Sequence, residues 1–397
     1  MELEPSDSKQ RVPSTNAYWN FLLAACASPT QGPGLSLPPA LAQNAADWNT
    51  FVSIADFHGV SALAFKNLAR GGDAPSPLLD LLRQRYESGV QTSLILAREL
   101  IRILESADSL KIELIPHKGI VLSELLYDDM ALRPGADIDL LVRRTGVLHM
   151  KDALTKLGYL PRIMVPKRVD EDYLAVGYEY AFDSARRKNL LELQWAVLPH
   201  FFAVDYPIND IFERAETAAI AGRPVRSPAR EDLLLLLCLH AAKHLWARLI
   251  WLCDIAQILN LGGLNWDVVL SAARRLGILR ILHVTMLLTE RLLSAPVPVP
   301  VQAGIAGDSA ATRIAQEIIP DIANCKSWPD DRLAYFRRMA QLRERPIDRL
   351  RFFSRLALTP GPGEWQCVEL PRRLAPLYRV VRIARLLRKF YVGRSDT

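Results

Sequence analysis

Two aspartates separated by one isoleucine, Asp137-Ile138-Asp139, are the first feature of this 397-residue chain that could do chemistry. On a strand, successive side chains alternate faces, so residues two apart point the same way. Leu140, Leu141 and Val142 follow and make the rest of the segment read as a buried strand. Two carboxylates side by side at the end of such a strand repel, and one resists ionising unless a cation lies between them. Mg2+ is a hard ion that prefers oxygen ligands of this kind. The bland alternative is a surface turn with two solvated aspartates. The surroundings favour chemistry. Upstream, His117-Lys118-Gly119 sits between a short apolar segment and a helical one. A glycine there lets backbone approach a ligand, and a helix start offers free N–H groups to an anion. A neighbouring lysine suits phosphate. Downstream, Glu192 and Gln194 share one face of a later strand, and Glu192 could supply a third carboxylate.

The elements that position these residues are readable in outline. Apolar spacing predicts helices over 18–27, 47–67 and 78–112, the last with Leu96, Leu100, Ile103 and Leu104 in one stripe. A Pro/Gly-rich break covers 28–39. The period then changes: a short strand over 112–116, a helix over 120–127, the 137–142 strand and a helix over 145–157 capped by Thr145. Val176, Tyr178, Tyr180 and Phe182 alternate as a half-buried strand. A polar turn over 184–189 and a returning strand over 190–197 complete a hairpin. From Ser227 the pattern is helical again: one long helix through Leu259, helices over 266–276 and 280–293, a proline-rich loop over 295–301, and helices from Ala311 onward, broken at 360–363. The expected division is an N-terminal helical region (1–110), a catalytic core (111–226) and a C-terminal helical domain with a basic tail (227–397).

The stretch HKGIVLSELLYDDMALRPGADIDLLV resembles the uncharacterised nucleotidyltransferases of the polymerase-β-like superfamily. The matching positions are Lys118-Gly119, Tyr127, Arg133 and Asp137-Ile138-Asp139. SPAREDLLLLLCLHAAKHLWARLIWLCDIAQIL is similar to a helix of that family at His240, Lys243-His244, Trp246, Arg248-Leu249 and Asp254-Ile255. Asn265-Trp266 and the ending EWQCVELPRRLAPLYRVVRIARLL extend the likeness over most of the chain. The resemblance implies an α+β fold, with a small mixed-sheet nucleotidyltransferase core flanked by helical regions. It also implies transfer of a nucleoside monophosphate, AMP being the expected one, from a nucleoside triphosphate (ATP) to a hydroxyl or other acceptor on a small molecule, peptide or protein. Two divalent ions, Mg2+ or Mn2+, would be held by Asp137, Asp139 and Glu192. Many superfamily members carry Gly-Ser where this chain has Lys118-Gly119, so phosphate contact would pass to Lys118, Gly119 or Ser123, with Arg133. Gln194 stands where relatives often have a histidine. The alternatives are a nucleotide-binding regulatory module that has lost turnover, and a toxin–antitoxin or defence enzyme acting on tRNA or protein.

His240, Lys243 and His244 fall on one helical face, which Arg248 roughly extends. Spacing of i,i+4 also suits zinc, but the glutamate of the HExxH pattern and a third ligand are missing. These residues either cap core contacts or, as the resemblance implies, Lys243, His244 and Arg248 meet the triphosphate across the cleft. Composition excludes other classes. Half the residues are hydrophobic, which rules out a disordered chain. The five cysteines are scattered, which disfavours a disulfide framework, and the polar start carries no secretory signal. No apolar run reaches a membrane span, and a cytoplasmic location is expected. The net charge of +6 is concentrated at the end: residues 331–397 hold sixteen Lys/Arg against six Asp/Glu. Arg379, Arg382, Arg385 and Arg388 recur every third residue among apolar ones. That spacing makes a basic amphipathic helix suited to an acidic partner or anionic surface, or else a solvated face of a helix packed on the core.

Overall fold

The computed structural model describes residues 15–27, 38, 41, 47–71, 74–135, 137–163, 170–185, 190–328, 333–368, 370 and 372–392. The break expected over 28–39, residue 38 apart, and residues 186–189 of the expected hairpin turn lie outside them. Four helices come first: α1 (Thr15–Cys26), α2 (Trp48–His58), α3 (Ser61–Gly71) and the long α4 (Ser76–Ser109). Helix α2 starts where the Asp47 carboxylate accepts the Asn49 N–H and stops at Gly59, whose φ of 71° is left-handed. The stripe Leu96, Leu100, Ile103 and Leu104 of α4 is buried, as its spacing predicts.

The sheet follows. Its strands are β1 (Leu114–Pro116), β2 (Ile138–Val142), β3 (Leu160–Pro161), β4 (Glu179–Asp183) and β5 (Leu191–Gln194). Helices α5 (Ile120–Tyr127), α6 (Val147–Lys156) and α7 (Asp170–Val176) alternate with them. The spatial order is β1-β2-β5-β4-β3, with β2 and β5 parallel and every other pair antiparallel. Alternation along β2 divides the core. Ile138, Leu140 and Val142 pack with Leu191, Leu193, Tyr180 and Phe182 and with the α4 stripe. Leu141, on the opposite face, joins the larger core built by the flanking helices. The second face of β2 and β5, the one carrying Asp139, Glu192 and Gln194, therefore looks toward the helical layer.

Beyond the sheet, α8 (Ile208–Arg214) leads to a second hairpin, β6 (Glu216–Ile220) and β7 (Arg223–Ser227), which the sequence reading lacks. Ala221 and Gly222 turn it with φ of 49° and 78°. Two successive left-handed residues match the twist of a tight hairpin. Ser227 thus ends a strand rather than opening a helix. The single helix expected through Leu259 is two, α9 (Arg230–Lys243) and α10 (Leu249–Leu261). Leu245 and Trp246 between them are left-handed, with φ of 50° and 52°. Burial of the Trp246 ring and its Nε1–H bond to Thr285 Oγ1 at 3.0 Å offset that backbone cost.

Helices α11 (Trp266–Leu276), α12 (Leu279–Leu293), α13 (Val299–Ala306), α14 (Ser309–Ala323), α15 (Leu333–Gln341), α16 (Pro346–Leu358), α17 (Pro362–Cys367) and α18 (Tyr378–Val392) complete the chain. The loop expected over 295–301 becomes helical from Val299, with a proline in the first turn, where its missing N–H costs nothing. On α18, Arg385 and Arg382 both reach the buried Glu364, at 2.6 and 3.6 Å. Part of the arginine row therefore docks this helix, Arg379 is exposed, and the Arg388 side chain lies outside the description. Among the described residues no helix is long and apolar enough to cross a membrane. The architecture is mixed α+β: a small mixed sheet with helices before and after it.

Candidate active site

The turn from β1 to α5 depends on one glycine. Gly119 has φ 60° and ψ −133°, and a Cβ there would stand 3.0 Å from the Asp137 carbonyl oxygen. Gly135 lies against the Gly119 Cα, so two loops meet where neither carries a side chain. This close approach aims Lys118 at the start of β2. Its Nζ lies 2.7 Å from Asp139 Oδ1, and Asp139 is only 4 % exposed. The His117 N–H donates to the Asp139 carbonyl at 3.3 Å and fixes the same junction.

Register supplies the next group. Asp139 stands opposite Glu192 in the parallel β2–β5 ladder, so the two carboxylates project from one face. Gln194, two residues on, donates from Nε2 to Asp139 Oδ1 at 3.1 Å and to Glu192 Oε2 at 2.7 Å. Asp137 is half-buried at the entry to β2. Burial pushes the Glu192 carboxyl well up, and Asp139 and Glu179 add to the push. Burial works against ionised Asp139 too, but Lys118 and His117 outweigh it and hold that carboxyl down. Burial opposes the Lys118 charge, yet Asp139, Glu192 and Asp137 together raise its pKa. The site is thus an ammonium paired with Asp139, with Glu192 and Asp137 close enough to favour its charge.

Hard oxygen donors gathered round a cation are the donor set a Mg2+ ion prefers. In the present arrangement Lys118 and Gln194 take up Asp139 Oδ1, and Gln194 takes up Glu192 Oε2. Among the described residues no three His, Cys, Asp or Glu side chains are drawn together tightly enough to hold an ion. The residues fit a divalent ion in chemistry and in shared face, with Lys118 as the group that must give way.

The remaining expected residues diverge. Arg133 turns to Asp254 instead of the carboxylate face. Its Nε lies 2.7 Å from Asp254 Oδ2, both groups are buried, and the Tyr127 hydroxyl donates to the same carboxylate at 3.0 Å. Asp129 is taken by Lys66 and Tyr86. Arg133 therefore stitches the α5–β2 loop to α10. Ser123 is fully buried; its hydroxyl donates to the Asp129 carbonyl at 2.8 Å and accepts the Arg133 N–H at 3.1 Å. That hydroxyl holds the loop.

The helix break separates the other cations. Lys243, the last residue of α9, donates to the Tyr178 hydroxyl at 3.2 Å and lies 4.9 Å from its ring centre. Arg248 begins α10 and sits 5.6 Å from the Phe57 ring centre, against the N-terminal helices. His240 and His244 pack with Trp251 at ring distances of 5.1 and 5.3 Å, as an aromatic cluster.

One acidic residue near the site went unnoticed in the sequence. Glu179 pairs with Gln194 across β4–β5, so it shares the face of Glu192 and Asp139. The alternation through Tyr178, Tyr180 and Phe182 was the available signal, since it puts Glu179 on the opposite side of β4 from Tyr180.

No curated protein matches the sequence significantly. Among solved structures, the crystal structure of ANT(2")-Ia in complex with adenylyl-2"-tobramycin aligns over 45 % of this chain and 97 % of its own. Its identity is 18 % and its TM-score 0.32, too distant to carry the site. A sequence model described as uncharacterised nucleotidyltransferase matches residues 44–294, a span that holds both the Lys118-Gly119 turn and the carboxylate strands. With well over half the chain matched, this protein belongs to the uncharacterised nucleotidyltransferase family.

Proposed function

We propose that this chain transfers a nucleoside monophosphate, AMP, from a nucleoside triphosphate to an acceptor hydroxyl or similar group on a small molecule, peptide or protein. The observation that carries the reading is the register of Asp139 with Glu192, which sets two carboxylates on one face beside Asp137, within the span matched to the family. Asp137, Asp139 and Glu192 would hold Mg2+ or Mn2+. Such ions, when bound, neutralise the triphosphate and lower the pKa of an attacking hydroxyl. The chain's own residues do the positioning. Asp139 and Glu192 are fixed by adjacent strands, Gln194 clamps both, and the Gly119 turn brings backbone close to them. Lys118, displaced from Asp139, stays near enough to meet a phosphate oxygen, to which an ammonium is well suited. Lys243 and His244 line the cavity next to Glu179, while Arg133 and Ser123 hold the loop that leads into β2.

Pyrophosphate release from ATP with Mg2+ tests the reading. Asp139→Asn keeps the side-chain shape and removes the charge; it is expected to lower release by at least about a hundredfold, the scale of losing one electrostatic contact in a transfer site. Unchanged release in that variant would overturn the assignment. A second reading is favoured by one observation: Lys118 and Gln194 already occupy Asp139 Oδ1, and Gln194 occupies Glu192 Oε2. A regulatory module that binds nucleotide without turnover would show ATP binding with no pyrophosphate under any acceptor tried.

A further inference from the structure

A cavity of about 610 Å³ lies between β4 and the C-terminal helices, and the chemistry above leaves it without a use. Tyr178, Glu179 and Ala181 line it from the sheet; Phe201, Trp328 and Tyr335 line it from the helical layer. Ala181 pairs with Glu192 in the β4–β5 ladder, so the cavity adjoins the carboxylate face one strand over. Glu179 is its distinctive group. One oxygen, Oε1, accepts the Tyr178 hydroxyl at 2.6 Å. The other, Oε2, is buried and has no donor. A buried carboxylate oxygen without a donor is costly, so a small turn of the Glu179 side chain that brings this oxygen to the cavity and a donating group is favoured.

The cations bordering the cavity are already engaged. Lys243 is held by Tyr178. Arg382 faces Glu364 at 3.6 Å and the Leu356 carbonyl at 3.3 Å, leaving its buried Nε as one spare donor. Burial and the nearby Arg355 push His200 toward its neutral form. Aromatic walls, one needy carboxylate and few free positive charges disfavour a polyphosphate. They suit an ammonium carried on an aromatic body, with a hydroxyl for the chemistry.

We propose that this cavity is the acceptor site, and that its occupant is a small hydroxylated aromatic amine anchored on Glu179. The proposal rests on the nucleotidyl-transfer reading and names its acceptor class. In the transfer, an acceptor hydroxyl oxygen bonds to the α-phosphorus. The bond from that phosphorus to its bridging oxygen breaks, pyrophosphate leaves with the electron pair, and the hydroxyl proton passes to water.

Calorimetric titration of the full chain with tyramine tests it, with 4-hydroxyphenylacetate as the control that keeps ring and hydroxyl but replaces the ammonium by a carboxylate. Tyramine is expected to bind at millimolar or tighter Kd, and the control not to bind. Glu179→Gln is expected to weaken tyramine at least tenfold. Trp328→Ala, which leaves the carboxylate intact and lies outside the carboxylate cluster, should weaken it several-fold and bind Mg-ATP as the parent does. Asp139→Asn should bind tyramine normally while losing pyrophosphate release, so a failure of transfer and a failure of the acceptor site give different patterns. Equal binding of the two ligands, or no tyramine binding by a protein that binds Mg-ATP, overturns the proposal. So does a Glu179→Gln variant that loses Mg-ATP as fully as tyramine, because the cavity would then be the nucleotide's.

Discussion

Lys118 is the residue whose role is most open to measurement, because one side chain closes the carboxylate cluster. Its partner Asp139 is nearly inaccessible, and Lys118→Met would take away the cation bonded to it and leave Gln194 and Glu192 beside it. Removing one member of a buried pair costs about 3–5 kcal/mol, most of it the penalty of the abandoned charge. Lys118→Met is therefore expected to lower stability in urea by an amount of that order. Millimolar Mg2+ should restore part of the loss and raise the variant's unfolding midpoint more than the parent's. An equal response of the two proteins would show that the carboxylates do not accept a cation. The residues of this cluster were largely legible in the sequence, because strand alternation alone puts Asp137 and Asp139 on one face. Glu179 was not. It joins the cluster only through the β4–β5 register, and a six-residue polar turn leaves that register open. The role of Gln194 as a clamp was equally hidden, since a substitution read against relatives says what is missing and not what the new amide bonds to.

At the scale of elements, two junctions decide whether the site is built. The β1–α5 turn needs Gly119 in a region that side chains rarely enter, with the Asp137 carbonyl where a Cβ would go. Gly119→Ala should cost about 1–3 kcal/mol in backbone strain. It should also reduce pyrophosphate release by more than the stability loss explains, since the turn aims Lys118; full activity in a folded Gly119→Ala protein would refute the close approach. The second junction is the Arg133–Asp254 pair between the β2 loop and α10. Arg133→Met should destabilise by about 3–5 kcal/mol, and a double variant with Asp254→Leu should recover much of it. If Arg133 instead served the triphosphate, the single variant would stay stable and lose ATP affinity. These junctions also show where sequence reading stopped. The α9–α10 break rests on two left-handed non-glycine residues held by a buried tryptophan, a tertiary cause with no local signature. The continuous apolar pattern through Leu259 therefore read as one helix. The β6–β7 hairpin was missed because its turn is Ala-Gly, weaker punctuation than Asn-Gly.

On the scale of the whole molecule, the N-terminal helices are tied to the C-terminal ones through His58, which no sequence pattern marked. It is fully buried at the end of α2, beside the Trp19 ring of α1 at 5.1 Å. Its Nδ1 accepts the Leu249 N–H that opens α10, at 3.2 Å, and its Nε2 lies 3.6 Å from the Cys325 sulfur. A ring nitrogen that accepts a backbone N–H must be unprotonated. Burial, with Arg248 nearby, accordingly drives the folded pKa down to about 4. The unfolded histidine takes up a proton near pH 6.5. Its contribution is therefore complete above pH 6.5 and is lost as pH falls from there through about 4. At pH 5 the loss from this one residue is about 2 kcal/mol. His117, buried between the two loops and lowered to about 3, adds a loss of the same sign. Urea unfolding at pH 7.5 and pH 5.0 measures these losses together with those of His240 and His244, which are lowered too, and against the opposite contribution of the raised Glu192 carboxyl. His58→Asn, whose amide oxygen can accept the Leu249 N–H without titrating, should be less stable than the parent at pH 7.5 but lose about 2 kcal/mol less between the two pH values. A variant that loses as much stability on acidification as the parent would show that His58 is not the acid-sensitive tie between the two helical layers.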